Sequence, residues 1–91
     1  MKLKTICFDI DNVICKTNST NNYSKSVPIK KNIKVINQAY NNGFIIILYT
    51  ARYMGRCKGN LAKVKKLIKP LTLKQLEMWG VKYHKLYLRM L

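Results

Sequence analysis

The chain has 91 residues, 48% of them apolar and 23% charged, the composition of one small folded domain rather than a multidomain machine or a disordered segment. A chain this short removes only ~60% of its unfolded surface from water, so a substrate site is expected to be a surface crevice and not a deep cavity. Eighteen Lys and Arg against three Asp and Glu give a formal charge of +15, and such a surface attracts nucleic acid, anionic membrane or phosphorylated small molecules over long range.

The cations are mostly Lys and are spread along the chain, as on a solvated face, so nucleic acid is not the expected partner. Cys7, Cys15 and Cys57 are an odd number with no close pair; they fit neither a disulfide framework nor a zinc module, and a reduced, cytoplasmic setting is expected. The first apolar run is broken at Asp9, too early for a secretory core. No stretch approaches the ~20 apolar residues that cross a bilayer, so no membrane is expected.

Thr5-Ile6-Cys7-Phe8-Asp9-Ile10-Asp11 is a short run of β-formers that reads as a strand buried on both faces, with Cys7 a buried thiol. From Lys16 to Pro28 the sequence turns to Ser, Thr and Asn, the chemistry of a surface excursion. Ile29, Ile33, Ile36 and Tyr40 then recur at helical spacing, and Gly43 supplies the stop. Phe44 to Thr50 is an unbroken, β-branched run that reads as the central strand.

Ala51 to Asn60, with Gly55, Gly59, Arg52, Arg56 and Lys58, reads as a cationic connection. Leu61, Val64, Leu67 and Ile68 predict a helix that Pro70 ends. Thr72 and Gln75 form a capping-box pattern opening a second, short helix up to Gly80, with Met78 and Trp79 in the core. Val81 to Leu88 completes a third strand, on which His84 is a surface residue and not a metal ligand. Lys63, Lys65, Lys66 and Lys69 read as a solvated basic face.

Strands separated by helices pair in parallel, because the return to the same sheet end needs a crossover. The predicted fold is therefore α/β, a partial doubly wound, Rossmann-like parallel sheet of about three strands with flanking helices, in one domain spanning 1–91. Ligands in such sheets bind at the carboxyl ends of the strands.

Two of the three acids in the chain, Asp9 and Asp11, stand at that end of the first strand. At i and i+2 their side chains point the same way, into one crevice mouth. A hard divalent cation relieves their repulsion, and magnesium accepts one or two carboxylates beside water and phosphate oxygen. The plainer alternative is that both merely cap the following turn. Leu48-Tyr49-Thr50-Ala51-Arg52 brings a hydroxyl and a guanidinium to the same edge, where Thr50 is expected to donate to a phosphoryl oxygen and Arg52 to clasp a second anionic group.

Phe8-Asp9-Ile10-Asp11-Asn12-Val13 resembles the first motif of the haloacid dehalogenase-like phosphohydrolases, and Leu48-Tyr49-Thr50-Ala51-Arg52 resembles their second. With Tyr23, Pro28 and Gln75-Leu76-Glu77-Met78-Trp79-Gly80-Val81, the likeness extends over essentially the whole chain, to a small subgroup associated with capsule or polysaccharide biosynthesis. It implies a magnesium-dependent phosphatase, a phosphoric monoester hydrolase, acting on a small phosphorylated metabolite. Asp9 would be the nucleophile and Asp11 the acid and base. Magnesium would be held by the Asp9 carboxylate and the main-chain carbonyl of Asp11, and Thr50, Ala51 and Arg52 would bind substrate.

The resemblance also implies parts that this sequence lacks. Members of the family continue to a lysine, which here would align near Met90, and to a fourth strand ending in acids; Lys82 and Lys85 are out of register and Glu77 lies on a helix. Such a loss typically costs ~10²–10³ in rate. The fourth strand would lie beside the first, leaving Lys4 to Asp11 an exposed edge, so self-association is expected. The alternatives are a basic nucleic-acid-binding module with a structural acid pair, and an inactive remnant kept as an interaction surface.

Overall fold

The computed structural model describes residues 4–17, 23–52 and 61–88, without the side chains at 61–65 and 67. Three strands, β1 (Thr5–Asp9), β4 (Ile45–Thr50) and β5 (Lys85–Leu88), form a parallel sheet in the order β1-β4-β5. Helix α1 (Lys30–Asn41) carries the chain from β1 to β4, and α2 (Leu61–Met78) from β4 to β5. The architecture is α/β, a parallel sheet of three strands with two flanking helices, as in part of a doubly wound fold.

The strand order rises steadily across the sheet, so two right-handed crossovers place both helices on one face. Burial agrees. Ile46, Leu48 and Thr50 of β4 are buried, and they alternate with half-buried Ile45, Ile47 and Tyr49. The buried set packs with Ile33 and Ile36 of α1 and Leu76 of α2, while Ile68 of α2 packs on Leu88 of β5. β1 alternates between exposed and half-buried residues. This corrects the expectation of a strand buried on both faces: β1 is an edge strand, and Cys7 is exposed while Cys15 is the buried thiol.

The polar excursion is closed at its base by a two-residue antiparallel ribbon, β2 (Cys15–Lys16) against β3 (Val27–Pro28). A single 3₁₀ turn, Tyr23–Lys25, lies between them. Helix α1 ends as its periodicity predicts, with Gly43 at φ +93° taking the left-handed conformation that a side chain disfavours.

Pro70 does not end a helix. It lies exposed inside α2, which runs unbroken from Leu61 to Met78. Proline removes one helix hydrogen bond and strains the preceding turn. Ile68 before it and Thr72, Gln75 and Leu76 after it are nonetheless buried, so packing on both sides holds the helix through the lesion. Met78 is 66% exposed, not core, and Trp79 is half-buried. Lys66 and Lys69 are exposed as expected; the side chains of Leu61, Lys63, Val64, Lys65 and Leu67 lie outside the described set, as do Gly55, Arg56, Cys57, Lys58, Gly59 and Met90.

The predicted third strand is shorter than expected, because Val81–His84 approaches the sheet without joining its ladder. His84 is exposed, but it continues the sheet by other means. Its main-chain N–H donates to the Ile46 carbonyl (2.8 Å), its Nδ1 accepts from the Ile46 N–H (3.0 Å), and its ring stacks on Tyr40 at 4.6 Å.

Candidate active site

The parallel pairing of β1 with β4 sets Asp9 opposite Tyr49. The Ile10 N–H then donates to the Tyr49 carbonyl (2.9 Å), which holds the chain beside β4 for one residue beyond the strand. Asn12 turns the chain back at φ +72°, a left-handed position that Asn tolerates better than most residues. The Asn12 N–H reaches the Cys15 carbonyl (2.7 Å), and the N–H groups of Ile14 and Cys15 both donate to the Ile10 carbonyl (2.9 and 3.1 Å). Asp11 is thereby carried on a tight turn and not on the strand itself.

That turn, the end of β4 and the polar excursion enclose a crevice of about 400 Å³ at the carboxyl ends of β1 and β4. Asp9, Asp11, Thr50, Ala51 and Arg52, the five residues singled out from the sequence, all line it. Asn12, Thr17 and Tyr23 line it as well. The sequence placed Thr17 in a surface excursion, and Tyr23 both there and among the residues of the resemblance; the ribbon at the base of this excursion pairs only two residues a side, too few to read as strands.

The two carboxylates differ sharply in surroundings. Asp9 is exposed, and its carboxylate has no hydrogen-bond or ion-pair partner among the described residues. Asp11 is surrounded by donors. Its Oδ1 accepts from the Thr17 hydroxyl (2.9 Å) and from Arg52 Nε and Nη2 (3.1 Å each), with the Cys15 thiol at 3.6 Å. Its Oδ2 accepts from the Thr50 hydroxyl (3.3 Å) and shares Arg52 Nε (3.2 Å), so Oδ2 is the less occupied oxygen.

Arg52 is 1% exposed, and the rest of its guanidinium is also spent inside the protein. Nη1 donates to Thr72 Oγ1 (3.3 Å) and Gln75 Oε1 (2.5 Å), Nη2 also reaches Cys15 Sγ (3.3 Å), and the group lies over the Tyr23 ring at 5.0 Å. The expected clasp on a second substrate anion is therefore not the arrangement seen. A buried guanidinium is tolerable only when paired and hydrogen-bonded, and here the partners are the protein's own. Thr50 is likewise engaged: its hydroxyl proton goes to Asp11 and its oxygen accepts from the Arg52 N–H (3.2 Å).

Thr72 and Gln75 were legible as a polar pair three residues apart, but their function was not. Instead of opening a helix, they sit in mid-helix on one buried face and cradle Arg52. The signal that identifies such a cradle is two polar residues at i and i+3 within an otherwise apolar helix face, in a chain that also holds a cation needing burial partners.

Burial pushes the Cys15 thiol above its ordinary range; the Asp11 charge pushes in the same direction, and the Arg52 charge opposes it. Cys15 is thus held as a neutral thiol beside an ion pair. No lysine lines the crevice among the described residues, and Lys82 points elsewhere, to Asn41 Oδ1 at 3.0 Å.

Among the described residues, no three His, Cys, Asp or Glu side chains come together to form a self-sufficient metal site. The donors at the crevice are oxygens, with one unengaged carboxylate. That set suits magnesium, which keeps most of its shell as water and substrate oxygen. The Asp9 carboxylate and the Asp11 main-chain carbonyl would hold it.

No protein-family model matches the sequence, and no curated protein matches it significantly. Among solved structures, the crystal structure of a target protein from Vibrio cholerae is similar, with a TM-score of 0.88 at 24% identity over 94% of this chain and 69% of that one. This likeness shows the α/β fold alone.

Proposed function

We propose that the crevice is a phosphoryl-transfer site of the haloacid dehalogenase-like kind, acting on a small phosphorylated metabolite with Asp9 as the accepting group. One observation carries the reading: of two neighbouring carboxylates at the carboxyl end of a parallel strand, one is open to the crevice and unengaged, and the other is locked in place by four side chains. A nucleophile needs freedom to approach phosphorus, and a proton carrier needs a fixed position.

In the first displacement an Asp9 oxygen bonds to phosphorus, and the bond from phosphorus to the leaving oxygen breaks. Asp11 Oδ2, the less occupied oxygen, takes up the proton that a phosphate monoanion brings and passes it to that leaving oxygen. In the second, water attacks phosphorus, the bond to Asp9 breaks, and the water proton returns to Asp11. This splits one difficult step into two easier ones. Magnesium, when bound, offsets negative charge as carboxylate and phosphate approach. Turnover is expected to be slow, because no lysine among the described residues lines the crevice to screen that approach, a loss of ~10²–10³.

The test is hydrolysis of an aryl phosphate by the full chain with magnesium. Slow turnover that vanishes in Asp9→Asn supports the reading; equal turnover in wild type and variant assigns the activity to a contaminant and overturns it. Absence of turnover together with oligonucleotide binding that falls steeply with salt favours the nucleic-acid module instead.

A further inference from the structure

We propose that Arg52 is a positioning residue for Asp11, and that Thr72 and Gln75 of α2 set the placement of its guanidinium. This rests on the proposed role of Asp11, and it goes beyond it by assigning the control of that group to a helix whose described side chains lie outside the crevice lining.

The argument is geometric. The guanidinium is a planar fork whose donor directions are fixed once its far edge is held. Here the far edge, Nη1, is held by two oxygens from one helix face, Thr72 Oγ1 and Gln75 Oε1. The near edge, Nε and Nη2, meets both oxygens of Asp11 at 3.1 to 3.2 Å. The plane is sandwiched further by the Tyr23 ring, and Gln75 is itself fixed, its Nε2 donating to the Tyr23 carbonyl at 2.6 Å.

Helix, guanidinium and carboxylate thus form a continuous chain of contacts, and all buried side-chain polar atoms among the described residues have a partner. Lysine offers one compact ammonium and cannot reach both ends of this chain of contacts. The same network joins the excursion that walls the crevice to α2 through Tyr23, so displacing Arg52 disturbs the Asp11 carboxylate and its wall together, while Asp9, which shares no hydrogen bond or ion pair with these groups, is expected to stay as it is.

Asp9 and Asp11 are the two aspartates of the chain, so a protein labelled with carbon-13 at the aspartate carboxyls gives two resonances, assigned with Asp9→Asn. Arg52→Lys is expected to move the Asp11 resonance and leave that of Asp9 in place. Gln75→Met, which keeps the ion pair and removes its anchor, is expected to shift the same signal by less and guards against an unfolded Arg52 variant. An Asp11 resonance unmoved in both variants would overturn the proposal.

In turnover, Arg52→Lys is expected to lower kcat by ~10²-fold, the cost of a misplaced catalytic group, with KM unchanged. On an Asp11→Asn background it is expected to add no further loss, and full additivity there would also overturn the proposal. A wild type that hydrolyses no phosphate would instead remove the phosphoryl-transfer reading, and the resonance pair would then decide the placement of Asp11 alone.

Discussion

Replacing Asp9 by Asn removes an exposed carboxylate that no other side chain among the described residues holds, so stability in a denaturant titration is expected to change by no more than ~0.5 kcal/mol. Replacing Asp11 by Ala leaves Arg52 buried without its counter-ion and is expected to cost ~3–5 kcal/mol. Equal effects from the two substitutions would contradict the division of labour between them. Cys15 gives a third residue-scale prediction. Its thiol is held above the ordinary 9.0 by burial, so the folded state keeps the proton more tightly than the unfolded chain. The stability this confers is complete below pH 9.0 and is lost as pH rises through the folded value. As pH rises above 9.0 the wild type is expected to lose more stability than Cys15→Ala, and parallel curves would contradict it. The acid pair and Thr50, Ala51 and Arg52 were legible because residues at the ends of neighbouring parallel strands must meet at one sheet edge. The partners of Arg52 were not, because a local pattern says nothing of which distant cation will be buried against it.

Helix α2 shows where local rules yield to packing. Pro70 was read as a terminator, since its ring and missing N–H penalise a helix interior, yet buried residues on both sides carry the helix past it. The penalty persists in the folded state and is not needed for any contact described. Pro70→Ala is therefore expected to stabilise the protein, by up to ~3 kcal/mol in a denaturant titration, and a loss of stability would show that the proline shapes the helix usefully. Helix α1 was legible from its helical spacing of apolar residues, and strand β4 from its unbroken β-branched run, too short for a helix of that hydrophobicity. The small β2–β3 ribbon was not, being two residues a side in a polar stretch. His84 was read as a surface residue, but its role was not legible for a related reason: its side chain replaces a carbonyl in accepting from the Ile46 N–H, a substitution without periodic signature.

At the scale of the whole molecule, the described sheet ends in an edge at β1 and the chain carries a formal charge of +15. The hydrogen bonds from Ile45 to the Lys4 carbonyl and from Ile10 to the Tyr49 carbonyl show that even-numbered residues of β1 face β4. The main-chain groups of Thr5, Cys7 and Asp9 therefore point outward, where another strand can pair with them. Like charge opposes that approach until salt screens it, over ~10 Å at 0.1 M. Association is thus expected to rise with salt in sedimentation experiments and to disappear in Cys7→Pro, which removes an outward N–H and leaves the β4 pairing intact. Association that falls with salt, or persists in that variant, would contradict the edge as its site. On the proposed phosphoryl-transfer reading the charge would also serve the crevice, because a cationic surface gathers phosphorylated molecules toward Asp9. The most direct measurement is to incubate the full chain with magnesium and an aryl phosphate, quench in acid, and locate any added phosphoryl group by peptide mass spectrometry. The account predicts the phosphoryl group on Asp9 and its absence in Asp9→Asn; a phosphoryl group on another residue, or none while wild-type turnover proceeds, would contradict it.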